Sequence, residues 1–261
     1  MMDAARASSW LTHLVKARNR HGVHSPFVYD LIEQVLRARP ALPEHAAIEK
    51  LRHALLRSDS SIAVHDLGAG SRVTAKPVRK VATMARASMK PARQAQMMQR
   101  LARRINARQV LELGTSFGIT TLYLAQGIAD GMVVTIEGCP QTHAIAQRHF
   151  KALKQQNITA ILGSFEHTLP DALQRMARLD LAFIDGHHAE EPTLQYFEQC
   201  MAKSHEGTVL VFDDIHWSTG MEAAWERIKA DPRITVTIDL YDLGLVFLRS
   251  GQAKEHFRLR Y

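Results

Sequence analysis

From Gln109 onward, short apolar runs alternate with segments of helical spacing, and this alternation most narrows what the chain can become. Strand candidates lie at 110–113, 132–137, 159–162, 179–185 and 208–213. Between them, residues 119–128, 141–155, 169–178 and 192–202 carry apolar side chains at helix intervals. Strands separated by helices pair in parallel, with helices on both faces of the sheet. After a helix at 221–230, two more runs follow at 234–240 and 245–249. Only a few residues around Asp242-Leu243-Gly244 separate them, too few for a parallel crossover. The expected fold class is therefore α/β, a mostly parallel sheet closing in an antiparallel hairpin.

The first hundred residues read differently. Trp10, Leu11, Leu14 and Val15 recur at helix spacing, as do Val28, Leu31, Ile32, Val35 and Leu36. His21-Gly22-Val23-His24-Ser25-Pro26-Phe27 interrupts them with Gly and Pro. A third helix is expected at 46–56 and a basic helical stretch up to Asn106. This gives a basic helical segment at 1–91, a lid or dimerisation surface, ahead of a catalytic domain at 92–261. The net charge of +7 is unevenly divided: residues 1–108 hold 20 Lys or Arg against 7 Asp or Glu, and 109–261 hold 13 against 19. Between Arg72 and Arg108 stand eleven basic residues and no acidic one. Such a run suits an anionic partner, whether nucleic acid, phospholipid or acidic substrate, and equally a solvated cover over the acidic half. No apolar run approaches the ~18 residues that span a bilayer, and the N-terminus lacks a secretory apolar stretch. Cys139 and Cys200 make neither a disulfide framework nor a metal-spaced pair, so a cytoplasmic location with reduced thiols is expected.

Val110-Leu111-Glu112-Leu113-Gly114-Thr115-Ser116-Phe117-Gly118 is a strand entering a glycine turn and then a helix. Gly114 allows a tight turn, and Gly118 a close ligand approach at the helix N-terminus. Glu112 precedes the turn, suited to a cationic or donor-rich group. Glu137 ends the next strand 25 residues later, where an acid accepts both hydroxyls of a ribose. The second glycine of the dehydrogenase pattern G-x-G-x-x-G is missing from Gly114-Thr115-Ser116. Asp66-Leu67-Gly68-Ala69-Gly70 imitates the same turn, but no acid-terminated strand follows it.

These residues resemble the Rossmann-like class I S-adenosylmethionine-dependent methyltransferases, whose first motif is acid-x-Gly-x-x-x-Gly and whose second is an acid closing strand two. The resemblance implies a seven-stranded sheet of order 3-2-1-4-5-7-6 with its last strand antiparallel. It implies cofactor contacts from Glu112, Gly114, Thr115, Ser116, Gly118, Glu137, Gly163, Ser164, Phe165 and Asp185. Two acidic clusters close strands four and five, Asp185-Gly186-His187-His188 and Asp213-Asp214-Ile215-His216-Trp217. Converging carboxylates repel unless a cation compensates them, and Mg²⁺ prefers oxygen donors. The clusters are similar to those of the O-methyltransferases of the catechol and caffeoyl-CoA type, which implies Asp185, Asp213 and Asp214 as metal ligands. Asp214 replaces the Asn of that group, Ser164 an Asp often found beside the adenine, and His188 stands nearest to its Lys. Asp185 and His188 are the catalytic candidates, with His187 or His188 as general base where no metal acts. His216 and Trp217 are expected along the acceptor pocket, and Arg72, Lys76, Arg79 and Lys90 as holders of an anionic acceptor group.

The resemblance thus implies methylation of a small-molecule hydroxyl. An RNA-modifying methyltransferase using the basic segment is the alternative, although no Asn-Pro-Pro-Tyr-type motif or RNA-binding module is present. A non-catalytic cofactor-binding protein is a third reading. A homodimer through the N-terminal helices fits any of the three.

Overall fold

A computed structural model describes residues 4–38, 42–64, 77–128 and 130–261. The Asp66–Gly70 run, Arg72 and Lys76 lie outside the described residues. The chain divides into two compact units, one of Met1–Arg37 with Ala177–Tyr261, the other of Ala38–Met176.

The first unit begins with α1 (Ala4–Lys16) and α2 (Pro26–Leu31), the latter continued by a π-helical turn at Ile32–Arg37. The Gly/Pro-punctuated segment between them is fixed by local polar contacts. Asn19 Oδ1 accepts from the His21 amide, and Ser25 caps α2 by accepting from the Val28 amide, with Pro26 at the first helical position, where its missing N–H costs nothing.

The second unit holds α3 (Pro43–Leu56), an antiparallel ribbon of β1 (Ser61–Ala63) and β2 (Val78–Lys80), then α4 (Val81–Ser88) and α5 (Ala92–Arg104). From Val78 onward the basic stretch is a strand and two helices, interrupted where Pro91 follows Lys90. On α5, Ala95, Met98, Leu101 and Ala102 are buried while Arg93, Arg103 and Arg104 stay outside, the stripe that a covering helix needs. Three βα repeats complete the unit: β3 (Gln109–Leu113) and α6 (Ile119–Gly127), β4 (Met132–Glu137) and α7 (Pro140–Ala152), β5 (Ile158–Leu162) and α8 (Phe165–Arg175). All three strands run parallel.

The chain returns to the first unit with β6 (Leu179–Ile184), α9 (Glu190–Met201), β7 (Ser204–Asp213), α10 (Thr219–Ala230), β8 (Val236–Asp239), β9 (Leu243–Phe247) and β10 (Glu255–Arg258). Strand order through the sheet is β5-β4-β3-β6-β7-β9-β8-β10. This is the expected 3-2-1-4-5-7-6 order with an eighth strand added, so the expected count of seven is corrected. β9 opposes both its neighbours, whereas β10 runs parallel to β8. β10 escapes sequence reading because Glu255-His256-Phe257-Arg258 has a single buried residue; pairing with the β8 edge, not apolar patterning, makes it a strand.

The N-terminal segment packs on this far edge. Arg18 pairs with Leu259 in a parallel bridge, its amide donating to the Arg258 carbonyl at 2.8 Å. Phe27 meets Phe247 edge to face at 5.1 Å, and the Arg249 guanidinium covers the Phe27 ring at 4.0 Å. The segment at 21–27, without assigned chemistry in the sequence, is thus the connector that seats Phe27 on β9.

Candidate active site

In the second unit, β3 delivers the chain into its turn at Gly114, whose φ of 98° is open to glycine but costly for other residues. The Gly114 and Thr115 amides both donate to the Ile136 carbonyl of β4, at 3.0 and 3.2 Å. Ser116 is left-handed at φ 49°, and Gly118, at φ 78°, caps α6. A Cβ on Gly118 would lie 2.6 Å from the Phe150 ring and 3.0 Å from Ala146. Glycine at 118 is thus required both by its positive φ and by α7 packing against the turn.

The two acids of the motif separate in role. Glu112 lies on a strand enclosed on both faces, and its side chain is fully buried. Its Oε2 accepts from the Thr121 hydroxyl at 2.5 Å and the Thr135 hydroxyl at 2.6 Å. It therefore braces β3 against β4 and α6. Glu137, at the end of β4, is half-buried, with Oε2 accepting from the Ser116 amide at 2.7 Å and Oε1 from the Cys139 amide at 2.8 Å. Burial raises its pKa, and the amides of Cys139 and Ser116 oppose the rise. The Thr142 hydroxyl and the Gly138 amide oppose it as well.

Next to β4, Gly163 donates to the Glu137 carbonyl at 2.9 Å. Ser164 precedes α8 and pairs with His167 Nδ1 at 2.7 Å, and Phe165 opens that helix half-buried. One neighbour escapes sequence reading: Ser88, closing α4, shares a hydrogen bond of 2.8 Å with the Ser116 hydroxyl. The two are 28 residues apart, with no pattern to connect them. Of the proposed anion holders, Arg79 lies in β2, and Lys90 follows α4, where its carbonyl accepts from Arg52 at 2.6 Å.

In the first unit, Asp185 follows β6, and the next turn is strained. His187 and His188 are left-handed at φ 65° and 32°. Such conformations cost on the order of 1–3 kcal/mol each and gather at working sites. His188 Nε2 stands 3.6 Å from Asp185 Oδ1, while its Nδ1 is buried without a hydrogen bond. His187 Nδ1 meets the Tyr196 hydroxyl at 3.4 Å. Asp213 ends β7 almost inaccessible. Asp214, left-handed at φ 52°, donates its amide to Asp242 and accepts from the Trp217 amide.

Asp185, His188 and Asp213 bring one donor atom each within 4.8 Å of one another, and Asp214 is not part of that group. Two carboxylates and an imidazole fit Mn²⁺, Fe²⁺ or Zn²⁺ better than the all-oxygen shell of Mg²⁺. His216, expected along the acceptor pocket, faces Asp239 and Glu222 at 3.0 and 3.1 Å.

The first strand of the parallel run thus feeds a glycine turn that is clasped by the acid ending the next strand. Residues 111–215 match the family described as Methyltransferase domain. The chain is similar to a catechol O-methyltransferase of Niastella koreensis, 30% identical over 125 residues, which cover 47% of this chain and 56% of that protein. A catechol O-methyltransferase of Mycobacterium tuberculosis is 32% identical over 126 residues, 48% of this chain and 56% of its own length. The chain thus spans just over half the length of these relatives. Among solved structures, an O-methyltransferase from Bacillus cereus in complex with SAH superposes with a TM-score of 0.59 at 20% identity, covering 85% of this chain and 97% of that one. The fold is that of the Rossmann-like methyltransferases.

Among the described residues, no helix is long and apolar enough to cross a membrane.

Proposed function

We propose that this chain is an S-adenosylmethionine-dependent methyltransferase that methylates a hydroxyl of a small molecule. The observation that carries the reading is the Glu137 clasp. Its carboxylate is held by the Ser116 and Cys139 amides at the end of β4, beside a turn opened by Gly114. That is the equipment for gripping a ribose diol at a strand end. The catechol O-methyltransferase relatives support a hydroxyl acceptor.

When bound, S-adenosylmethionine supplies an electrophilic methyl group on a sulfonium whose departure leaves a neutral thioether. The protein's part is alignment and deprotonation. Glu137 accepts the ribose hydroxyls, with Gly163, Ser164 and Phe165 at the neighbouring strand end taking the adenine edge. Where no metal acts, His188, beside Asp185, takes the acceptor's proton. Where an ion acts instead, Asp185, His188 and Asp213 would hold it, and it would lower the acceptor's pKa as a Lewis acid. An anionic acceptor group, a dimer through the N-terminal helices and a cytoplasmic location belong to the same reading.

Calorimetric titration with S-adenosylhomocysteine tests the cofactor half. Micromolar binding is expected, weakened about 10- to 100-fold in Glu137→Ala, the loss of one or two good hydrogen bonds to a charged group. No heat at millimolar ligand sinks the reading. For the chemical half, His188→Ala should bind S-adenosylhomocysteine as the parent does, yet lose roughly 10²–10⁴-fold in turnover on a catechol acceptor.

A further inference from the structure

A second group of donor atoms lies in the first unit, where α1 meets the end of β8. His13, His216 and Asp239 each bring one donor within 4.8 Å of the others. His13 and Asp239 are 4% and 5% exposed, so this is not a chance cluster of surface charges. Asp239 presents Oδ1 to His13 Nδ1 at 3.3 Å and Oδ2 to His216 Nε2 at 3.0 Å. An ion about 2.0–2.2 Å from every donor needs donor separations of about 3–4 Å.

The outer contacts of the two rings decide the chemistry. His13 Nε2 faces the Leu259 carbonyl at 3.2 Å, an acceptor that can only take a proton. The neutral tautomer then leaves Nδ1 as a bare lone pair, buried, making no hydrogen bond and pointing at a carboxylate. Two negative ends face to face need a cation between them. His216 stands between two acceptors, Nδ1 at 3.1 Å from Glu222 Oε1 and Nε2 at 3.0 Å from Asp239 Oδ2, so its inward side too calls for a cation, a proton or a metal ion. A histidine whose outer N–H is held by a carbonyl or carboxylate is arranged as metal-binding histidines are. The carboxylate is itself positioned by the Tyr241 amide at 2.9 Å and Arg258 Nε at 3.2 Å. Glu222 and Asp239 together offset two of the three positive charges of Arg258 and a divalent ion.

We propose that His13, His216 and Asp239 form a structural site for a divalent transition-metal ion, Zn²⁺ by its donor set, which ties α1 to the end of β8. Two imidazoles and a carboxylate suit Zn²⁺ and its neighbours and disfavour Mg²⁺ or Ca²⁺. The ion fastens residue 13 to residue 239 and, through His216, steadies the loop that follows Asp213.

The test uses full-length protein stripped with chelator, in an Asp185→Asn/Asp213→Asn background that removes the other donor group. Zn²⁺ is titrated calorimetrically, and Co²⁺ is added separately as an absorbing probe. One equivalent bound at micromolar or better affinity, with nitrogen-ligated Co²⁺ absorption, is expected. His13→Gln should weaken it on the order of 100-fold. Because that variant removes a packed residue, long-range ¹H–¹⁵N spectra of the parent imidazoles are read as well. Zn²⁺ should shift His13 Nδ1 and His216 Nε2 and leave the opposite nitrogens protonated. Absence of binding, binding unchanged in His13→Gln, or both rings doubly protonated with Zn²⁺ present would each overturn the site and make the cation between the groups a proton.

Discussion

His149 shows how one titratable side chain can hold the glycine turn without touching a ligand. From α7 its Nδ1 meets the Phe117 carbonyl at 2.9 Å, one residue before Gly118. Burial lowers its pKa from 6.5, while the bond to Phe117 opposes the shift and Arg148 adds to it. The folded state therefore favours the neutral ring, and the unfolded chain binds the proton more readily. Stability is full above the unfolded value of 6.5 and falls with decreasing pH until the folded pKa is passed, at about 1.4 kcal/mol per unit of lowering. Urea midpoints should fall less steeply between pH 8 and pH 5 in His149→Asn, whose amide nitrogen stands nearest to the place of Nδ1, than in the parent. Equal slopes in the two proteins would remove His149 from the account. Nothing in the sequence marks this residue, since its partner is a carbonyl 32 positions away. The same limit applies to Glu112. Its place before the glycine turn was legible, but only Thr121 and Thr135 reveal that its carboxylate points inward. A strand buried on both faces offers no alternation from which to read that direction.

Among the elements, the sequence was most informative where chain-local physics decides the structure. The βα repeats and the closing hairpin follow from apolar period and connection length, and the bounds agree within a few residues. Elements that exist through their partners stayed hidden: β10 forms by pairing with β8, and β2 by pairing with β1. The start of α6 depends on both kinds of cause. Gly118 supplies its left-handed cap, and Phe150 of α7 occupies the space of the missing side chain. Gly118→Ala should therefore cost about 2–4 kcal/mol, the positive φ and the overpacking adding together. Denaturant unfolding measures it, and Gly118→Ala/Phe150→Leu should recover part of the loss. A cost below about 1 kcal/mol would show that the turn relaxes at little expense and that packing does not dictate glycine.

For the whole molecule, the change from helical spacing to alternating strands and helices placed the expected boundary at 91/92, because pattern is read along the chain. The compact units instead part after Arg37 and after Met176, so the first unit joins both ends of the chain. That grouping rests on pairings more than two hundred residues apart, such as Arg18 with Leu259 and His13 with Asp239, which no local pattern announces. It follows that the C-terminal edge of the sheet depends on residues made first. Removing residues 1–24 takes away the Arg18 bridge and exposes one side of Leu259, now 2% exposed, to water. Local opening is governed by such contacts, so the amides of β8 and β10 should exchange faster while those of β4 serve as the internal reference. A loss of about 1–3 kcal/mol in local protection, a 5- to 150-fold faster exchange under native conditions, is the expected scale. Hydrogen exchange read by mass spectrometry on peptides covering 236–247 and 255–259 measures it. If those peptides exchange as in the full chain, the N-terminal helices lie on an edge that is already stable, and the unit's cohesion resides in β7, β8 and β9 alone.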